Sequence, residues 1–172
     1  MSDLTLFLQH LKQPEYIHVL LNPLPVYGLA MGMLGLLLGL IKRNRHAQML
    51  ALTLVFIGSA VAFPVLKTGE RAYDRVEAMS APDARGWLEV HQQRAEKVVY
   101  VYYASALLAA VALLVQWRSW KGARALTLIT FVLGAAAMAG GGWISQAGGQ
   151  VRHSEFRDGP PAASAMDADD HE

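Results

Sequence analysis

The sequence predicts an all-α fold: a four-helix transmembrane bundle with an extracytoplasmic loop-helix and an N-terminal interfacial helix. Three observations lead there. Of the 172 residues, 53% are hydrophobic and 17% charged, a larger apolar share than soluble domains carry. The apolar residues gather into four stretches, 20–41, 47–66, 98–117 and 125–144, each close to the ~20 residues that cross ~30 Å of hydrocarbon as a helix. Most charges fall between those stretches.

Three units follow: an interfacial segment over 1–15, a membrane domain over 16–157 and a disordered acidic tail over 158–172. In the first, Leu4, Phe7, Leu8 and Leu11 recur at helical spacing, which describes a short amphipathic helix in the membrane plane; a frayed terminus is the alternative. The start has no basic segment before a short apolar run, so no cleaved signal peptide is expected. The first span carries Gly28, Gly32, Gly35 and Gly39, and the fourth Gly134, Ala135, Ala139 and Gly140 to Gly142. Such small faces let helices approach closely, so these two spans are expected to pack on each other or to form a homo-oligomer seam. Between the second and third spans, Thr68-Gly69-Glu70 is expected to turn the chain, and 71–79 to form a loop helix. Ser80-Ala81-Pro82-Asp83 then marks a helix start, so the third helix begins well above the membrane. Gly148-Gly149 permits a turn that folds the tail back over the bundle. The tail after Gly159-Pro160-Pro161 is polar and lacks an apolar face.

Orientation follows from the short turns. Lys42, Arg43, Arg45, Arg118, Lys121 and Arg124 crowd two of them, with no acid present, and short basic turns stay cytoplasmic. The chain is therefore expected in a bacterial cytoplasmic (inner) membrane, with both termini and the middle loop on the periplasmic face.

Several chemistries are excluded. The absence of cysteine rules out thiolate ligands, thiolate nucleophiles and disulfides. A net charge of +1 leaves no basic stripe for nucleic acid. The glycine triplet at 140–142 lies inside a span and is no phosphate loop. Ser145 and Ser154 stand near His153 without the spacing of a nucleophile–base pair. No Asp, Glu, Lys, Arg or His occupies the central turns of a span, which argues against ion conduction.

Histidine and carboxylate chemistry remains, and it gathers on one face. His18 precedes the first span, Glu70 and Glu77 follow the second, His91 precedes the third, and His153 with Glu155 follow the fourth. Four crossings bring all six to the extracytoplasmic side. Imidazole with carboxylate suits zinc, iron or copper, and two axial imidazoles suit a b-type haem. His18, His91, His153, Glu70, Glu77 and Glu155 are therefore the metal-ligand candidates, and His18 with His91 the axial pair if haem is bound. On this reading His18 sits at the membrane rim and His91 about 10 Å above it, a difference in depth that favours a surface metal ion. His10 and His171 are assigned to solvent and His46 to the cytoplasmic interface. Ion pairing of Glu70 and Glu77 with Lys67, Arg71 or Arg75 is the competing explanation for those carboxylates.

Three stretches resemble the bacterial membrane family catalogued as domain of unknown function 2231: Ile17-His18 to Pro23-Leu24-Pro25; Thr68-Gly69-Glu70-Arg71-Ala72 through Val76-Glu77 to His91 and Ala95; and Gly148-Gly149-Gln150-Val151-Arg152-His153-Ser154-Glu155. Together they span about residues 15–157. Gln92 stands where many relatives have Glu, and Pro23 lies five residues after His18 where relatives often join the two directly. The resemblance implies a four-helix membrane domain. Some related domains are joined to, or encoded near, Rieske iron–sulfur modules and cytochromes, which implies an electron-transfer setting and a redox protein or membrane complex as partner. Two other functions compete: a metal-dependent membrane hydrolase using Glu70 or Glu155 as base, and a structural subunit anchoring a redox complex.

Overall fold

A computed structural model describes residues 3–159. The expected acidic tail beyond Gly159, including His171, lies outside the described residues. Those described form seven α-helices and one 3-10 turn, with no strand among them. Helix α1 (Asp3–His10) is followed by α2 (Pro14–Leu21), α3 (Pro23–Ile41), α4 (Arg45–Ala60), α5 (Ala62–Met79), α6 (Pro82–Trp117) and α7 (Ala123–Arg152), and the 3-10 turn is Ser154–Phe156.

Four rods result, Pro14–Ile41, Arg45–Met79, Pro82–Trp117 and Ala123–Arg152, of 28, 35, 36 and 30 residues. Each is long and apolar enough to span a membrane. The longest two exceed one crossing by about 15 residues, or about 22 Å of helix. The turns after α3 and α6 are short and basic, so the excess projects at the opposite end, where the described termini lie. Leu34, Leu38, Leu50, Ile57, Leu107 and Val132 point outward and are half or more exposed, the reverse of a soluble bundle and what contact with lipid requires. The amphipathic α1 is bound by no buried residue; its Leu4 and Leu8 are exposed, as suits a helix lying in the interface.

Two rods are interrupted by proline. Pro23 and Pro25 cannot donate to the carbonyls of Val19 and Leu21, so α2 ends at Leu21 and α3 restarts after Asn22. Pro64 likewise leaves the Ala60 carbonyl without its donor, and the break between α4 and α5 falls at Val61. At the basic end, the Asn44 side chain caps α4 by accepting from the Ala47 amide at 3.0 Å. Arg45 donates to the Gln116 and Trp117 carbonyls at the end of α6, where cations suit the helix dipole.

Leu29, Leu36, Leu52, Val55, Ala109 and Ala137 make a core with no exposed surface. Two pairs of buried polar side chains bridge helices: Ser59 donates to Ser105 at 3.3 Å, and Gln116 donates to Gln48 at 2.8 Å. Such pairing removes the penalty of burying them in hydrocarbon.

Four expectations need correction. The spans α3 and α7 do pack on each other, where a Cβ on Gly134 would meet the Met33 side chain, but the glycine stripe of α3 itself faces α4: a Cβ on Gly32 would lie 2.8 Å from the Val55 nitrogen, and one on Gly58 would lie 2.7 Å from the Leu29 nitrogen. That stripe is consumed within the chain, so it is no dimer seam. Thr68-Gly69-Glu70 makes no turn, because α5 runs through it to Met79. Gly148-Gly149 makes none either; α7 continues to Arg152 and the chain bends at His153. Finally, His18 is not at a rim below His91. Its helix starts at Pro14, earlier than the apolar run, and α2 rises beside α5 to the level of His91.

Because backbone occupies the space beside Gly58, Gly58→Val is expected to force α3 and α4 apart. The cost is about 1–3 kcal/mol or more, read as an earlier unfolding transition in detergent. Gly142→Ala, with no atom within 4 Å of its added Cβ, should leave the transition in place.

Candidate functional site

The projecting ends of α2, α5, α6 and α7 enclose a cavity of about 370 Å³. Its lining runs from Ala62 to Val76 on α5 and from Gly141 to Arg152 on α7, about 21 Å and about 16 Å of helix. Pro25 and Val26 of α3 and Val99 and Tyr102 of α6 close the inner end. The shape is a slot parallel to the helices, largely apolar, with two imidazoles in its walls.

These imidazoles belong to His18 of α2 and His91 of α6, with ring centroids 6.3 Å apart and planes at 86°. Each is seated in the same way on a different helix. His18 Nδ1 lies 2.9 Å from the Val65 carbonyl oxygen, and His91 Nδ1 lies 3.1 Å from that of Ile144. Four residues beyond each carbonyl stands a glycine. A Cβ on Gly69 would lie 2.9 Å from the His18 ring, and one on Gly148 would lie 3.0 Å from the His91 ring. In a helix the side chain at that position would cover the carbonyl of the turn before, so glycine is what lets an imidazole from another helix reach it.

The chemistry follows from the acceptor. A carbonyl only accepts, so Nδ1 carries the proton and donates, and a neutral ring then has its lone pair on Nε2. Among the described residues neither Nε2 has a hydrogen-bond partner. This is the arrangement of metal-binding histidine, whose second nitrogen is tied to a carbonyl that fixes tautomer and ring direction.

The other candidates do not join them. Glu70 lines the same cavity but is held by Lys67 at 2.7 Å. Glu77 is half-buried on α5 and is not among the lining residues. His153 and Glu155 pair with each other at 3.0 Å in solvent, and the His153 ring stacks on Phe156 at 4.8 Å. The Glu155 carboxyl is held below the usual carboxylate range, first by its own backbone amide and then by His153. Among the described residues no group of three or more His, Asp or Glu side chains converges on a point. The expected meeting of three imidazoles thus reduces to two, because α7 ends at Arg152 and the bend at His153 carries that ring outward over Phe156.

Other contributors were not singled out as ligands or seats in the sequence. The Val65 and Ile144 carbonyls are backbone and leave no mark of residue type. By sequence alone Gly69 and Gly148 have the look of turn residues. A usable signal exists: a β-branched residue followed four positions later by glycine, at the terminal end of the second and the fourth rod alike. Tyr102, which is 3% exposed with its hydroxyl unpartnered, and Arg152 at the cavity mouth complete the lining that matters below.

No family model, curated protein or solved structure matches this chain.

Proposed function

We propose that the chain is a membrane electron carrier that binds one b-type haem between His18 and His91, near the extracytoplasmic face of a bacterial inner membrane. The observation that carries this reading is the pair of imidazoles, each seated through Nδ1, with ring centroids 6.3 Å apart. With a metal–nitrogen bond of about 2.0 Å and about 1.15 Å from nitrogen to ring centre, two collinear axial imidazoles place their centroids about 6.3 Å apart. His18 and His91 stand at 6.3 Å.

The cavity favours haem over a lone ion. A metal ion needs no slot some 16 Å long, and two imidazoles alone do not complete a zinc or copper site. A flat apolar macrocycle needs both the length and small residues in the lining, here Ala62, Ala72 and Ala95. The hydrolase alternative requires a third protein ligand and an open position. Haem held by two imidazoles supplies one-electron transfer. The chain's own part is to hold both rings in the ligating tautomer and keep water from the slot.

Lys42, Arg43, Arg45, Arg118, Lys121 and Arg124 crowd the turn end, which supports placing that end in the cytoplasm and the cavity on the other side. The resemblance to domain of unknown function 2231 supports the same electron-transfer setting, with an extracytoplasmic redox protein as partner.

An optical spectrum of the detergent-purified protein tests the reading. A Soret band, resolved alpha and beta bands on reduction, and one haem b per chain by pyridine haemochrome are expected. Protein expressed with ample haem that shows no Soret band and carries a stoichiometric colourless metal would overturn it.

A further inference from the structure

We infer that Arg152 fixes the direction in which the haem enters the slot, by binding its carboxylate edge at the cavity mouth. This rests on the haem reading above and extends it to a residue that touches neither imidazole. A haem b has one edge bearing two propionates and an opposite edge that is hydrocarbon, so a slot with unlike ends selects one orientation.

The two ends are unlike. At the inner end stand Pro25, Val26, Val99 and Gly141, with the Tyr102 hydroxyl as the polar atom among them. One neutral hydroxyl does not compensate two carboxylates taken out of water. At the mouth stands Arg152, the one Lys or Arg among the described lining residues. Of the acids of that rim, Glu70 is held by Lys67 at 2.7 Å, and Glu15 is held by Arg75 at 2.7 Å through one oxygen while its other oxygen is buried without a partner among the described residues. Neighbouring arginines are also committed: Arg157 to Asp83 at 2.5 Å and to the Gln150 carbonyl at 2.7 Å, and Arg94 to the Trp143 carbonyl at 2.8 Å. Arg152 makes no such bond among the described residues.

Its position along α7 suits the task. Arg152 follows Gly148, the seat of His91, by four residues, which puts both on one helix face with Arg152 about 6 Å nearer the mouth. A guanidinium presents a planar fork of donors matched to a carboxylate, and its charge remains at every accessible pH.

The test compares haem b with haem b dimethyl ester, which has the same ring and ligation but no charged edge, on the full-length apoprotein in detergent. Wild type is expected to bind haem about tenfold more tightly than the ester, the worth of one charge-assisted hydrogen-bonded pair. Arg152→Gln should abolish that preference and lower the midpoint potential while leaving the Soret band in place, and Arg152→Lys should restore most of both. Equal binding of haem and ester by wild type, or a preference that survives in Arg152→Gln, overturns the orientation alone. Wild type that binds neither porphyrin overturns the haem reading and this inference together.

Discussion

His91→Ala and His18→Ala are each expected to abolish stoichiometric haem binding, and added imidazole is expected to restore a Soret band to either variant. The expectation follows from the seating of the two rings. On the haem reading each would supply one nitrogen ligand from a wall of the slot, and the Glu70 carboxylate is held elsewhere by Lys67. Loss of one imidazole therefore leaves a vacant axial position that no neighbouring side chain fills. The deleted ring leaves a space of its own size beside Gly148 or Gly69, which free imidazole can enter. His153→Ala is the informative contrast. That ring pairs with Glu155 and stacks on Phe156 outside the slot, so the variant should keep the wild-type spectrum and haem content. Loss of haem in His153→Ala to the same degree as in His91→Ala would refute the two-ligand account.

The second large effect lies one step from the ligands. Gly148→Val and Gly69→Val are expected to weaken haem binding by on the order of 10–100-fold, the usual cost of disturbing the partner that orients a ligating histidine. A Cβ at either position enters space held by the imidazole, at 3.0 Å and 2.9 Å respectively, and valine adds two methyl groups beyond it. The ring must then leave its carbonyl, losing both its direction and the tautomer that frees Nε2. Both variants should fold, because the obstructed neighbour is a side chain and not the backbone of another helix. Haem titration of the folded apoprotein, with helicity checked by circular dichroism, measures the effect. Near-wild-type affinity in both valine variants would show that the Val65 and Ile144 carbonyls do not position the rings.

These glycines also show how much the sequence reveals. Hydropathy and length suffice for four spans, since a ~20-residue apolar run has few other uses. The start of α6 at Pro82 was legible from Ser80-Ala81-Pro82-Asp83 for the same kind of local reason. Gly69 and Gly148 are marked only by the β-branched residue four positions before each, Val65 and Ile144, and not by the glycine itself. A helical glycine whose Cβ space is taken by a ring from another helix looks, as sequence, the same as a glycine that ends a helix. Reading both as turns shortened α5 and α7. The depth of His18 was lost with them: α2 begins at Pro14 with the polar residues Glu15 and Tyr16, so the apolar run underestimates how far the first rod projects. Placing six candidates on one face needed only an even number of crossings. Finding which two meet needed the lateral packing of α2 on α5 and of α6 on α7, which no spacing along the chain encodes.

The central claim is that both imidazoles ligate one iron, and the electron paramagnetic resonance spectrum of the oxidised protein, purified with ¹⁵N-labelled histidine, addresses it directly. Ring planes at 86° predict a highly anisotropic low-spin ferric signal, with pulsed measurements resolving hyperfine coupling to two axial histidine nitrogens. A high-spin signal, coupling to a single histidine, or no iron signal from folded, haem-supplied protein would contradict it.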